Sequence, residues 1–304
     1  MKPSNIGGQA VMEGIMMRHK DKYAIAVRRP DKEIEIKVED YKCTFGKAGF
    51  LKWPIIRGVV SFVDGLVVGT KCLMYSAEIA GDEEDEKEAA KNAALSEKEL
   101  SAKKAKEAKQ FQWLLYITVA ISIIFSVAAF MLLPYALASL LRKVGVSEFG
   151  VTVAEAFVKL ALFLGYMFLI SRMKDIQRVF MYHGAEHKCI NCVEHGLELN
   201  VENVMKSSRE HKRCGTSFLL FVMIVSIIFF LFIRVSSPVL RVVIRLLLMP
   251  VIAGVSYEII RLAGKSDNKI VALLSKPGLM LQHLTTREPE PEMAEVAIAA
   301  VEAV

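Results

Sequence analysis

The sequence has few of the features that mark secreted, nucleic-acid-binding or repeat proteins. It has only five cysteines, an odd number scattered over polar and apolar contexts. That excludes the even framework of a small disulfide-stapled domain and fits a reducing, cytoplasm-facing setting. Lys2 is followed by no apolar stretch ending in a small-residue cleavage site, so a removable signal peptide is not expected and targeting falls to the hydrophobic segments. Basic residues are not interleaved with aromatics as on an RNA-binding surface, so nucleic acid is not an expected partner. No internal repeat is evident.

What is present is apolar. The 304 residues are 53% hydrophobic and 24% charged, with a mean hydropathy of +0.36; a soluble domain needs less apolar content than this. Four segments approach the roughly 20 apolar residues that cross about 30 Å of hydrocarbon: Phe111 to Leu141, Val151 to Ile170, Thr216 to Ile233, and Val239 to Leu262. The last is the weakest, because Arg241, Arg245 and Glu258 interrupt it and Pro250 should kink it. None pairs the broken helices and midplane polar residues of a secondary transporter. Lys103, Lys104, Lys106 and Lys109 precede the first span, and eight Lys and Arg residues lie between Arg172 and Arg213, against Arg142 and Lys143 in the first-to-second connection. The net charge of +6 is therefore read as residues flanking a lipid bilayer, with both termini cytoplasmic.

Tyr23 to Arg28 and Glu33 to Glu39 alternate apolar and polar residues around Arg29-Pro30-Asp31-Lys32, which predicts a β-hairpin, and Gly7 to Gly14 adds a strand or tight loop. The expected architecture is an α-helical integral membrane protein of about four spans with a small N-terminal β-containing domain at 1–48. An apolar interfacial or re-entrant helix follows at 49–80, where charges punctuate the hydrophobic run. Then come a charged linker at 81–110, the four-span bundle at 111–274 with a cytoplasmic loop at 171–214, and a C-terminal loop with a short amphipathic helix at 275–304.

The chemistry is concentrated in Tyr182-His183-Gly184-Ala185-Glu186-His187-Lys188. If the second span continues as a helix, two imidazoles at i,i+4 share one face, a spacing that suits two ligands of one Zn²⁺, with Glu186 beside them as base or further ligand. The order H-x-x-E-H inverts the commoner zinc-protease motif. The plainer reading is that both histidines line or cap a helix end. His211 and Cys214, just before the third span, form a second candidate ligand pair at the same membrane surface. Glu258 near the cytoplasmic end of the fourth span could join them or pair with Arg261. Cys189 and Cys192 form a CxxC that could hold metal, act as a redox pair, or remain two reduced thiols. Glu13 and Arg18 flank a glycine-rich turn that could approach the site or serve as ordinary loop polarity.

These residues, together with Gly7-Gly8-Gln9-Ala10-Val11-Met12-Glu13-Gly14, Met16-Met17-Arg18, Glu202-Asn203, Arg213-Cys214-Gly215-Thr216-Ser217-Phe218, Ala253-Gly254, Ser256-Tyr257-Glu258, Pro277-Gly278-Leu279 and Leu284-Thr285-Thr286, resemble the YqhQ family of bacterial membrane proteins. That family is a domain of unknown function described as predicted metal-dependent enzymes. The resemblance covers nearly the whole chain except the stretch from Gly81 to Gln110, and Lys212 stands where the family motif has proline. It implies a multi-pass protein of the bacterial cell membrane with metal binding at His183, His187 and His211, and with Glu186 and Cys214 as further candidates. Mixed N and S donors favour zinc. The leading expectation is a metal-dependent hydrolase of unknown substrate, acting on a lipid-linked or peptide bond with Glu186 as general base. The alternative is a non-catalytic membrane scaffold or assembly factor built on a structural metal or polar cluster, with a membrane-protein partner or a homo-oligomer.

Overall fold

The computed structural model describes residues 4–46, 48–81, 113–114, 117–233, 235, 237–264 and 268–304. The expected linker at 81–110 lies outside these from residue 82 onward, as does much of 111–116 at the start of the first expected span. The chain forms two compact units, one of residues 1–80 with 167–304 and one of 81–166.

The first unit begins with an antiparallel meander, β1 (Ile6–Val11), β2 (Gly14–His19), β3 (Lys22–Arg28) and β4 (Ile34–Asp40), in spatial order β1-β2-β3-β4. The β3–β4 hairpin is the one the alternation predicts; β2 is a strand that the glycine-flanked reading of this region did not separate from β1. Successive side chains point to opposite faces, so the sheet is buried on both sides. Ile15, Met17 and Ala26 face one core, while Val11, Met16, Tyr23, Ile25 and Val27 face another.

The second of those cores is closed by α1 (Ile56–Ala80), through Val68, Cys72, Tyr75 and Ile79. This is one continuous helix of 25 residues, and with it five helices among the described residues, not four, are long and apolar enough to cross a membrane: α1, α2 (Ile117–Val144), α3 (Glu148–Ile170), α6 (Gly215–Phe232) and α7 (Pro238–Ala263). Two of the charges that punctuate 49–80 are satisfied by the protein, while Lys52, Lys71 and Glu78 stay exposed. Arg57 pairs with Glu258, and Asp64 accepts from Tyr41 Oη and, at 2.9 Å, from the Thr44 N–H.

The first core is closed by α4 (Lys174–Glu194) and α9 (Pro291–Glu302), with α5 (Val201–Lys206) beside them. α9 is the expected C-terminal amphipathic helix, started by Pro291 at its first turn. Met293, Ala294, Val296, Ala297 and Ala300 are almost wholly buried. It is thus part of the same core as the sheet, and residues 1–48 are not a separate body. The expected continuation of α3 into the histidine segment is interrupted: the chain turns at Ser171–Met173, and Met173 enters α4 in extended conformation.

Residues 276–286, expected as loop, fall in α8 (Lys269–Thr285) except for Thr286, which is its C-cap, and the helix runs through Pro277-Gly278. Packing overrides the local breaker: Gly278 lets α8 approach Ser217 of α6 so closely that a Cβ there would meet the serine at 2.9 Å. In the second unit, α2 carries a π-helical turn at Ala128–Leu132 just ahead of Pro134 and ends on Gly145 at φ 82.

Candidate metal centre

Helix α4 is covered on most sides, and eleven of its residues are buried. Its polar side chains therefore need partners inside the fold. Lys188 Nζ donates to the Met205 and Ser207 carbonyls at 2.8 and 3.0 Å, and Asn191 Nδ2 donates to Ser208 and Glu210 carbonyls at 2.7 and 2.9 Å. The segment 205–210 is thereby tied down along one side of the helix. His183, Glu186, His187 and Ile190 share another face, as i, i+3, i+4 and i+7 do on a helix. All four line a cavity of about 410 Å³, together with β1, His211, Arg213, the start of α6 and the end of α7.

Both imidazoles are fixed from behind. His183 Nδ1 lies 2.8 Å from the Thr285 carbonyl and His187 Nδ1 lies 2.6 Å from the Arg209 carbonyl. A carbonyl only accepts, so each Nδ1 carries a proton, and in the neutral ring each Nε2 is left to offer its lone pair to the cavity. Burial lowers the His187 pKa further, favouring the neutral ring. The two rings stand 4.4 Å apart by their centroids. Cys214 Sγ lies 3.3 Å from His183 Nε2, and the three ligand atoms of His183, His187 and Cys214 all fall within 4.8 Å of one another. Cys214 is placed by a second role: as the N-cap of α6 it accepts the Thr216 N–H on its sulfur at 3.3 Å.

This donor set fits the metal implied by the family resemblance. Two neutral imidazoles and one sulfur suit Zn²⁺, three protein ligands leave a coordination position open, and Nδ1–H donation to a carbonyl is the usual support of a metal-bound histidine. The adjoining cavity gives that position access.

Glu186 completes the wall. Its side chain is buried, and burial pushes its pKa up to about 7, offset in part by His183. It lies against β1 where Gly8 has no side chain, and a Cβ on Gly8 would sit 2.7 Å from the carboxyl Oε1 and Cδ. Gly8→Ala is therefore expected to push Glu186 into the cavity while the sheet and the imidazoles keep their places. Melting should fall by less than for a core clash, since the displaced atoms end a flexible side chain, and Gly7→Ala, with open space at its Cβ, should be silent. Thermal unfolding of the two variants with and without added Zn²⁺ checks this.

The other sequence candidates are placed differently. His211 lines the cavity, its ring 5.7 Å from that of His187, but its Nε2 faces Glu194 Oε2 at 3.6 Å. Glu258 accepts from Arg57 Nε at 2.7 Å, with Arg261 more distant at 3.8 Å. Glu13 holds Arg178 and accepts from Tyr182 Oη at 3.2 Å, and Arg18 stacks on Tyr41. Cys189 and Cys192 are free thiols inside the core shared with α9, and burial raises both pKa values.

Sequence reasoning passed over three residues that build the site. Gln282, wholly buried, accepts the His211 N–H at 2.9 Å and donates to the His211 carbonyl and to Ser217 Oγ, both at 2.8 Å. Thr285 supplies the carbonyl behind His183. Burial works against the charge of Glu194, but His211, Ser4 and Arg213 outweigh it and hold the carboxyl down at about 2. Only Thr285 carried a signal, as part of the Leu284-Thr285-Thr286 motif.

A family model described as a protein of unknown function, DUF1385, matches residues 53–304. The uncharacterized protein YqhQ of Bacillus subtilis (strain 168) is 40% identical over 310 residues, covering 97% of this chain and 91% of that protein. No solved structure matches the chain.

Proposed function

The chain belongs to the DUF1385 family, and we propose that it is a multi-pass protein of the bacterial cell membrane whose cytoplasm-facing zinc site serves a hydrolytic reaction. The observation that carries this reading is the convergence of two Nε2 atoms and one Sγ beside a buried carboxyl, on a cavity large enough for part of a substrate. The orientation rests on the excess of Lys and Arg between Arg172 and Arg213, and the shared core of the N-terminal sheet, α4 and α9 requires an even number of crossings, with α1, packed on the sheet, not counted among them. Such an ion would supply Lewis-acid activation of water and of the scissile bond. His183, His187 and Cys214 would hold it. Glu186, held against β1, would take the proton from the attacking water and pass it to the leaving group.

A second reading also has an observation behind it. The Thr285 and Arg209 carbonyls bind α8 and the segment before α6 to α4 through the two histidines, and Cys214 caps α6. A metal here would knot these elements together without catalysis.

Metal analysis of the purified full chain separates the readings. The wild type is expected to carry about one Zn²⁺ per chain. Glu186→Gln should keep the metal and the fold and lose the cellular function of the gene. Wild-type protein without bound metal would sink the zinc reading. Global unfolding on chelation, with Glu186→Gln fully functional, would leave only the structural knot.

A further inference from the structure

The two edges of the sheet are built differently. An exposed edge presents unpaired main-chain groups to any passing chain, and proteins usually blunt it with charge, proline or a cover. β4 follows that rule: it carries Glu35, Lys37, Glu39 and Asp40. β1, Ile-Gly-Gly-Gln-Ala-Val, has no charge and no proline, and two of its six residues have no side chain. Yet β1 is the edge that borders the catalytic cavity, which Asn5, Ile6, Gly7 and Gly8 line.

The register says which groups are free. Val11 pairs with Gly14 across a two-residue turn, so these two exchange main-chain hydrogen bonds, and by alternation Gln9 with Met16 and Gly7 with Arg18 do the same. Ile6, Gly8 and Ala10 must then point their N–H and C=O groups away from β2. The Ile6 N–H is taken by Ser4 Oγ at 3.2 Å. Among the described residues the Gly8 N–H and C=O have no partner. A donor and an acceptor, spaced as a strand presents them, thus open onto the same cavity as Glu186, His183, His187 and Cys214.

We propose that this edge binds an extended polypeptide as an added strand, so that the bond cleaved is a peptide bond. This rests on the hydrolase reading and names its substrate class. An incoming residue opposite Gly8 would donate its N–H to the Gly8 carbonyl and accept the Gly8 N–H, the exchange by which peptides add to open sheet edges elsewhere. The absence of side chains at Gly7 and Gly8 leaves the approach clear. Hydrolysis forms a C–O bond from water to the peptide carbonyl carbon and breaks the C–N bond, and the water proton taken by Glu186 goes to the leaving nitrogen.

The test uses the full-length Glu186→Gln chain in detergent, metal-replete and chelated, with a short lysine-flanked peptide of alternating valine and threonine. Amide hydrogen exchange at Gly8 should slow when the peptide is added, while Ala10, which also points outward but does not line the cavity, should not change. N-methylating the peptide at alternate residues in one register should weaken binding by about tenfold, and in the other register should not. Unchanged exchange at Gly8, or equal effects of the two registers, would overturn the proposal. So would slowing by phosphatidylglycerol micelles or by inorganic phosphate but not by the peptide, which would point to a phosphate-bearing ligand instead. Slowing in the chelated protein supports the edge site even if the zinc reading fails; its absence in metal-replete protein counts against the edge site alone.

Discussion

Gly184→Ala is expected to leave little stably folded protein, although alanine is the better helix former. The exchange in a helix interior is worth about 1 kcal/mol in favour of alanine. Against it stands the position of the chain that follows α8. The Arg287 N–H donates to the Phe180 carbonyl at 2.9 Å, and the Arg287 carbonyl lies directly over Gly184, well within contact distance of any added Cβ. The obstructing atom is backbone, in a segment tied to α4 by that hydrogen bond, so it cannot swing away as a side-chain end would. Overpacking costs about 1–3 kcal/mol and occasionally more, and a backbone atom that cannot give way puts this clash at the upper end, so it outweighs the propensity gain. The loss also reaches the site, because the displaced segment includes the Thr285 carbonyl that orients His183. Fluorescence-detected size exclusion of detergent-solubilised protein against temperature gives the check. Gly165→Ala in α3, with nothing within 4 Å of the added carbon, is the control expected to be neutral or slightly stabilising; a Gly184→Ala protein as stable as that control would refute the account.

Gly184 also shows where the sequence was legible and where it was not. The β3–β4 hairpin and α9 could be read because their signals are local: strict alternation around Arg29-Pro30 in one case, small apolar residues on a short periodic run in the other. The grouping of His183, Glu186 and His187 followed from helical spacing, and Cys214 from its place before an apolar run. The residues that were missed act across long separations. Arg57 meets Glu258 from 201 positions away, and Gln282 reaches His211 from 71, whereas the local partner Arg261 was the one spacing could suggest. A single sequence does not reveal which distant segment supplies a carbonyl or a guanidinium. The loop expected at 276–286 is helix for a related reason: proline and glycine are breakers by intrinsic propensity, but Gly278 packs directly on Ser217 of α6 within that helix. Gly8 and Gly184 looked like ordinary turn or helix glycines until the atoms above them were known.

Cys214 offers the sharpest separation of fold from metal, because serine and alanine remove different things. As N-cap of α6 its sulfur accepts the Thr216 N–H, and as the third member of the cluster it faces His183 Nε2. Serine is a strong N-cap and alanine a poor one, a difference of about 1 kcal/mol in helix stability. Cys214→Ser should therefore hold α6 in place, and Cys214→Ala should melt measurably earlier. Both lose the soft sulfur donor. Since even outer partners of metal ligands are worth about 10–100-fold in affinity, both variants should bind Zn²⁺ more weakly by well over that range, and both should lose the sulfur-to-cobalt charge-transfer band when loaded with Co²⁺. Melting should thus rank wild type near Cys214→Ser and above Cys214→Ala in the chelated state, while metal affinity should separate wild type from both. If Cys214→Ser kept wild-type affinity and the charge-transfer band, Cys214 would be a cap alone, and the ligand set would have to be sought between His183, His187 and the carboxylate of Glu186.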